Sequence, residues 1–175
     1  MGLLKPSLSI EHLSDIDLDR WHNDGIRCIL IDLDNTVTPW GKMEITDETL
    51  DLISRSRDMG ITVMLFSNAR EHRAREAARL MGVGYFSLTM KPLPFRYLKA
   101  IAALGFKNPQ IMTIGDQVFT DVLGGNLVGC TTVLITPLSE AEYTGTKVLR
   151  YFERLIVGRK IVYKYKDISY DTFIR

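Results

Sequence analysis

The chain is short of cysteine, of histidine, of net charge and of long apolar runs, and each shortage closes off a class of protein. Two cysteines, Cys28 and Cys130, in 175 residues cannot build a disulfide scaffold of the secreted kind. Each lies in or beside an apolar run and reads as a buried thiol in a reducing compartment. No uninterrupted apolar stretch approaches the roughly 18 residues of a membrane span. The opening Met1 to Pro6 is too short and too broken, by Lys5 and Pro6, to act as a signal peptide. A net charge of +1 gives no reason to expect a nucleic-acid partner. The expectation is a cytoplasmic protein, at most peripheral to a membrane.

Several phosphate chemistries are missing too. There is no Gly-x-x-x-x-Gly-Lys-Ser/Thr loop. Gly82-Val83-Gly84 lacks the third glycine of a dinucleotide loop and reads as a helix stop. A cysteine phosphatase needs Arg six residues after its nucleophile, but those positions hold Asp34 and Thr136. His12, His22 and His72 fall outside every motif described below.

What is present is an alternation of two periods. Residues 26–31, 61–66, 85–88, 110–114 and 131–135 are short apolar runs that read as buried strands. Between them, segments opening at Thr46, Arg70, Leu93 and Phe119 carry helical spacing, and Gly60, Gly82, Gly105 and Gly129 stop them. Thr46 is placed as an N-cap. This order predicts an α/β fold: three layers, with a five-stranded, mainly parallel sheet between helices. In such sheets ligands bind beyond the carboxyl ends of the strands. The chain divides into an extension over 1–25, a core over 26–140 and a segment over 141–175.

The chemistry gathers at those strand ends. Asp32 and Asp34 close the first run, and alternate residues of a strand point to one side. Two carboxylates so close repel unless a cation lies between them, and beside phosphate the usual hard ion is Mg²⁺. The fourth run ends in Gly115-Asp116 with Asp121 shortly after. Ser67-Asn68 ends the second run at a helix start, a place suited to phosphate oxygens. Lys91 follows the third run and can neutralise phosphate charge. Singly these residues read as caps, turns or solvated charges. Their order, each after a different strand, is what marks a site. A receiver domain would carry an Asp after the third strand, and Tyr85-Phe86-Ser87-Leu88 has none.

Asp32-Leu33-Asp34-Asn35-Thr36 resembles the first motif of the haloacid dehalogenase (HAD) superfamily. Ser67, Lys91, and Gly115-Asp116 with Asp121 resemble the second, third and fourth. The likeness covers about residues 26–136. It implies a phosphatase with the superfamily's Rossmann-like fold. Asp32 would be the nucleophile and Asp34 the acid–base. Ser67, the Asn68 N–H and Lys91 would hold the phosphoryl group. Asp32, the Asp34 backbone carbonyl, Asp116 and Asp121 would serve Mg²⁺. Asp34 at its position is what phosphatases of this superfamily carry, which argues against a dehalogenase.

The stretch from Asp32 to Trp40, with Ser67-Asn68-Ala69 and Lys91-Pro92, is similar to the YqeG-type members of subfamily IIIA, which include phosphatidylglycerophosphate phosphatases. Thirty-two residues separate Asp34 from Ser67 and twenty-three separate Ser67 from Lys91. Neither gap has room for a cap domain, and capless members resemble enzymes of large or surface-bound substrates. A phospholipid phosphate is thus implied, with a soluble sugar, nucleotide or protein phosphate as the alternative. A non-catalytic binding protein on the same fold is a third reading. Trp40 is either part of a core turn or a wall of the site. Residues 145–166 carry seven Lys or Arg and one acid, Glu153. Within them, Val148, Leu149, Phe152, Leu155 and Ile156 share a helical face. That face either packs on the core or lies on an anionic membrane.

Overall fold

The computed structural model describes residues 2–139. Six strands form one sheet: β1 (Leu8–Ile10), β2 (Cys28–Ile31), β3 (Thr62–Phe66), β4 (Gly84–Phe86), β5 (Ile111–Gly115) and β6 (Thr131–Ile135). Their order is β1-β6-β5-β2-β3-β4, and every pairing is parallel. The expected count of five is corrected to six. The extra strand comes from the segment read as an extension. Leu8-Ser9-Ile10 pairs with Val133-Leu134-Ile135 at the sheet edge, and Ser7 and Thr132 exchange backbone and hydroxyl hydrogen bonds just before it. A run of three residues is too short to show a period, so it escaped notice.

The helices are α1 (Leu18–Asn23), α2 (Asp47–Asp58), α3 (Glu71–Met81), α4 (Pro94–Leu104) and α5 (Leu123–Leu127). Local chemistry sets their ends. The Thr46 hydroxyl accepts the Thr49 N–H at the start of α2. Gly82 and Gly105 stop α3 and α4 in the left-handed region. The region expected as one helix from Phe119 instead opens with a π-helical turn, Val118–Val122, before α5 begins. Such turns are rare and recur at functional sites.

The period of two along β2 sorts its side chains into two cores. Ile29 and Ile31 join Leu52, Leu65, Ala74, Ala77, Met112 and Ile114 beneath α2 and α3. Cys28 and Leu30 join Phe66, Tyr97, Ile101 and Ile111 on the face of α4. Each fully buried Ile contributes about 1.5–3 kcal/mol. Cys28 and Cys130 are free and buried, and burial pushes both thiols up to about 12. Both faces of the sheet are therefore anchored, and its carboxyl edge is held in place for the residues that follow each strand.

Candidate active site

The parallel sheet brings the ends of β2, β3, β4 and β5 to one edge. There a cleft of about 330 Å³ opens, lined by Asp32, Asp34, Ser67, Asn68 and Lys91, with Trp40 in its wall. Of the seven residues picked out in the sequence, Asp32, Asp34, Ser67, Asn68 and Lys91 line the cleft, Asp121 bonds to Lys91, and Asp116 brings a carboxylate oxygen within 4.8 Å of those of Asp32 and Asp121.

Its floor is a buried chain of charge. The Lys91 ammonium donates to Asp32 Oδ1 at 2.5 Å and to Asp121 Oδ1 at 2.6 Å. Side-chain exposures of 3%, 8% and 5% for the three leave little room for water. Burial alone would pull the lysine pKa down, but Asp121 and Asp32 against it more than reverse this and raise it. For Asp121, burial pushes upward, Lys91 opposes and Asp32 adds to the rise, so its carboxyl titrates above the usual range. Among the described residues, Asp32, Asp116 and Asp121 each offer a carboxylate oxygen, and all three oxygens lie within 4.8 Å of one another.

Asp121 is held from several sides. Its Oδ2 accepts from the Gln117 N–H at 3.2 Å and the Thr120 hydroxyl at 3.1 Å. The π turn that carries it is fixed by Tyr97 of α4, whose hydroxyl donates to the Thr120 carbonyl at 3.0 Å and whose ring lies 4.6 Å from that of Phe66. Beneath it, Gly115 leaves necessary space: a Cβ there would sit 2.1 Å from Asp121 Cγ.

The outer part of the cleft is built differently. Asp34 stands outside the three-carboxylate group. Its Oδ1 faces Arg73 Nη2 at 2.6 Å, with both side chains about a quarter exposed (25% and 22%). Burial raises the Asp34 pKa, Arg73 opposes the rise and Asp32 adds to it, and the net direction is upward. Any metal contact by Asp34 would therefore rest on its backbone carbonyl. Sequence reasoning missed Arg73. It lies in the first turn of α3, beside the buried stripe of Ala74, Ala77, Ala78 and Met81, and that stripe combined with a helix start at the sheet's carboxyl edge was the available signal.

Asn68 also does more than expected. Its side-chain oxygen accepts the Lys91 N–H at 2.8 Å and the Thr89 hydroxyl at 3.0 Å, and its amide donates to the Lys91 carbonyl at 3.4 Å. It clamps the lysine loop to the serine loop. The Ser67 oxygen accepts the Ala69 N–H at 3.1 Å, so its own proton is left to donate toward the cleft. Trp40, open between two readings in the sequence, takes the wall position: the residue is 39% exposed and its backbone N–H donates to Asn35 Oδ1 at 3.1 Å.

The charges near the cleft set what it accepts. Four carboxylates (Asp32, Asp34, Asp116, Asp121) against two cations (Lys91, Arg73) leave a formal −2. All-oxygen donors with that residual charge suit a hard divalent cation. Once it is neutralised, Ser67, Lys91 and the loop backbone can receive an anion.

A doubly wound parallel sheet with this order of carboxylates, serine and lysine at its strand ends defines a phosphatase of the HAD superfamily, a phosphoric monoester hydrolase. The chain belongs to the family described as mitochondrial PGP phosphatase, whose model matches residues 2–138. It is similar to the probable phosphatase YqeG of Bacillus subtilis, 28% identical over 153 residues, covering 87% of this chain and 89% of that protein. It is also similar to phosphatidylglycerophosphate phosphatase 1, chloroplastic/mitochondrial, of Arabidopsis thaliana: 26% identical over 146 residues, 78% of this chain and 42% of that one. Among solved structures, the D,D-heptose 1,7-bisphosphate phosphatase of B. bronchiseptica, complexed with magnesium and phosphate, matches with a TM-score of 0.56 at 17% identity, over 72% of this chain and 87% of that one. The cobalt-bound deoxy-D-mannose-octulosonate 8-phosphate phosphatase of Haemophilus influenzae matches at 0.53 and 15%, over 77% and 88%. At these identities the structural likeness speaks to the fold. Among the described residues, no helix is long and apolar enough to cross a membrane.

Proposed function

We propose that this phosphatase is Mg²⁺-dependent, works through an aspartyl-phosphate on Asp32, and removes the terminal phosphate of phosphatidylglycerophosphate. The observation that carries the reading is the buried Asp32–Lys91–Asp121 chain on the floor of an open cleft. It supplies a nucleophile without bulk water around it. The lipid rests on the family and the Arabidopsis relative.

An Asp32 oxygen attacks phosphorus, an Asp32 O–P bond forms and the ester O–P bond breaks. Asp34 gives its proton to the departing alkoxide, then takes one from the water that attacks the phospho-aspartate. That second attack frees phosphate and restores both carboxyls. A raised Asp34 pKa helps it to carry the proton for the first step. The Ser67 hydroxyl, the Asn68 N–H and Lys91 bind the oxygens of the transferring group. Asp32, the Asp34 carbonyl, Asp116 and Asp121 would hold Mg²⁺, which, when bound, offsets the negative charge gathering there.

We read the protein as capless. The links from β3 to α3 and from β4 to α4 span only residues 67–70 and 87–93, and the cleft stays open to a substrate anchored elsewhere. A reducing, cytoplasmic-type compartment fits the two free buried thiols.

A turnover panel tests the reading. Phosphatidylglycerophosphate in detergent micelles is compared with soluble phosphomonoesters, with Mg²⁺ or with chelator, and Asp32→Asn serves as the blank. The expected result is Mg²⁺-dependent phosphate release, preference for the lipid, and a loss of at least about 10³-fold in the Asn variant. Equal or better turnover of soluble esters would move the assignment to a soluble substrate. Release by Asp32→Asn at the wild-type rate would remove Asp32 as nucleophile.

A further inference from the structure

The rim of the cleft carries apolar side chains that the fold does not need. Leu88, Met90, Phe95 and Leu98 are 53%, 51%, 54% and 47% exposed, and all belong to the segment that delivers Lys91. Phe95 and Leu98 share a face at the start of α4. Arg96 joins the group: its guanidinium lies 5.2 Å from the Phe95 ring and donates toward Met90 Sδ at 3.3 Å.

The backbone beneath them is unusual. Leu88 and Met90 hold φ of +48° and +53°, a region that Gly and Asn occupy at less cost. A turn selected only for its shape would have those residues. Leucine and methionine here keep strained backbone together with large exposed apolar side chains, so the side chains themselves are what the position retains.

Charge indicates the partner. From Glu76 to Asp116 the chain has no acidic residue in between, and besides the buried Lys91 it has four basic ones: Arg79, Arg96, Lys99 and Lys107. The described residues end at another part of the cleft mouth, since three strands separate β6 from β4 in the sheet. Leu138 N–H donates to the Asn35 carbonyl at 3.0 Å and the Ser139 hydroxyl to Asn35 Oδ1 at 2.6 Å, beside the Asp34 loop and Trp40. Beyond Ser139, residues 145–166 add seven basic residues against one acid; they lie outside the described residues.

We propose that the Leu88–Leu98 rim is an interfacial docking surface for an anionic phospholipid bilayer. Leu88, Met90 and Phe95 enter the headgroup boundary while Arg96 and Lys99 meet lipid phosphates. The proposal deepens the lipid-phosphatase reading and rests on it for its purpose, but binding to a bilayer is measured without turnover.

The test uses the full chain and sedimentation with vesicles of phosphatidylcholine, alone or mixed with phosphatidylglycerol. Leu88→Asn with Phe95→Ser removes two rim side chains and, at 88, relieves the backbone. Wild type is expected to partition onto the anionic vesicles, and the double variant about tenfold or more weakly. Its melting temperature should hold or rise with Leu88→Asn alone, and p-nitrophenyl phosphate turnover should stay within about twofold. Hydrogen exchange over residues 88–98 should slow only when anionic vesicles are present. Equal partitioning of variant and wild type overturns the proposal. So does a dimer of the free protein that the double variant dissolves, which means that a second copy covers the rim. Should the double variant unfold, Leu88→Asn alone decides by the same readouts. If vesicles bind but the lipid phosphate is not hydrolysed, the surface stands and the substrate reading falls. If micellar lipid is hydrolysed while partitioning ignores the rim, the reverse holds.

Discussion

The cleft has two ion pairings of opposite character. On the floor, Lys91 joins Asp32 and Asp121 at exposures below 10%; at the mouth, Arg73 joins Asp34 with both about a quarter exposed. The floor is enclosed by Phe66, Tyr97 and the π turn, so its charges interact at low dielectric and cannot be exchanged for solvent. The mouth pair sits where water reaches, which is what a group that must give up and regain a proton requires. In the proposed mechanism a fixed nucleophile and an exchangeable acid would thus share one strand end, two residues apart.

Breaking the floor pair should have the largest effect. Lys91→Met leaves Asp32 and Asp121 buried without their cation, a change expected to cost about 3–5 kcal/mol. Chemical denaturation measures it. Millimolar Mg²⁺ should stabilise the variant more than wild type, because the ion meets carboxylates no longer neutralised by the ammonium. Undiminished stability would mean that the floor charges are better solvated than their burial indicates.

Breaking the mouth pair should leave stability nearly alone, at about 1 kcal/mol or less for Arg73→Gln, and act on the pH profile. Arg73 opposes the rise in the Asp34 pKa, so its loss lets that pKa climb further. The protonated acid then persists to higher pH, and the basic limb of kcat should move upward with it. A basic limb that stays put would separate Asp34 from the proton transfer.

The smallest effect belongs to a partly exposed surface cluster at the start of α3. Glu71 accepts from Ser87, from Tyr85 at 2.7 Å and from Arg75 at 2.9 Å. These bonds, Ser87 foremost, hold its carboxyl at about 2 against an ordinary 4.5. A lowered folded pKa contributes stability above the unfolded value and loses it as pH falls toward the folded one. Glu71→Gln should therefore melt slightly below wild type at neutral pH, with the two curves converging between about pH 4.5 and 2. A constant gap across that window would assign the difference to packing.

What could be read from sequence follows the same division. Asp32, Ser67, Lys91, Asp116 and Asp121 each follow a buried apolar run, and the period of that run announces where the chain will stop and turn. The parallel sheet was legible for the same reason, since alternating periods leave few topologies. Arg73 was not legible, because a charged helix does not declare which arginine faces a cleft until the sheet edge is placed. The Asn68 clamp escaped because it depends on two loops meeting, twenty-three residues apart. The π turn escaped because it differs from an α-helix by one residue of hydrogen-bond register, as in Val122 N–H reaching the Gln117 carbonyl.

Gly115 has one further consequence. It contributes no functional group, yet any side chain there collides with the carboxyl of Asp121. In a survey of tolerated substitutions this position would look as restricted as the acids themselves, although it takes part in no step. Mutational constraint at this site therefore maps onto excluded volume as well as chemistry, and a ranking of residues by intolerance would place an inert backbone atom among the reactive ones.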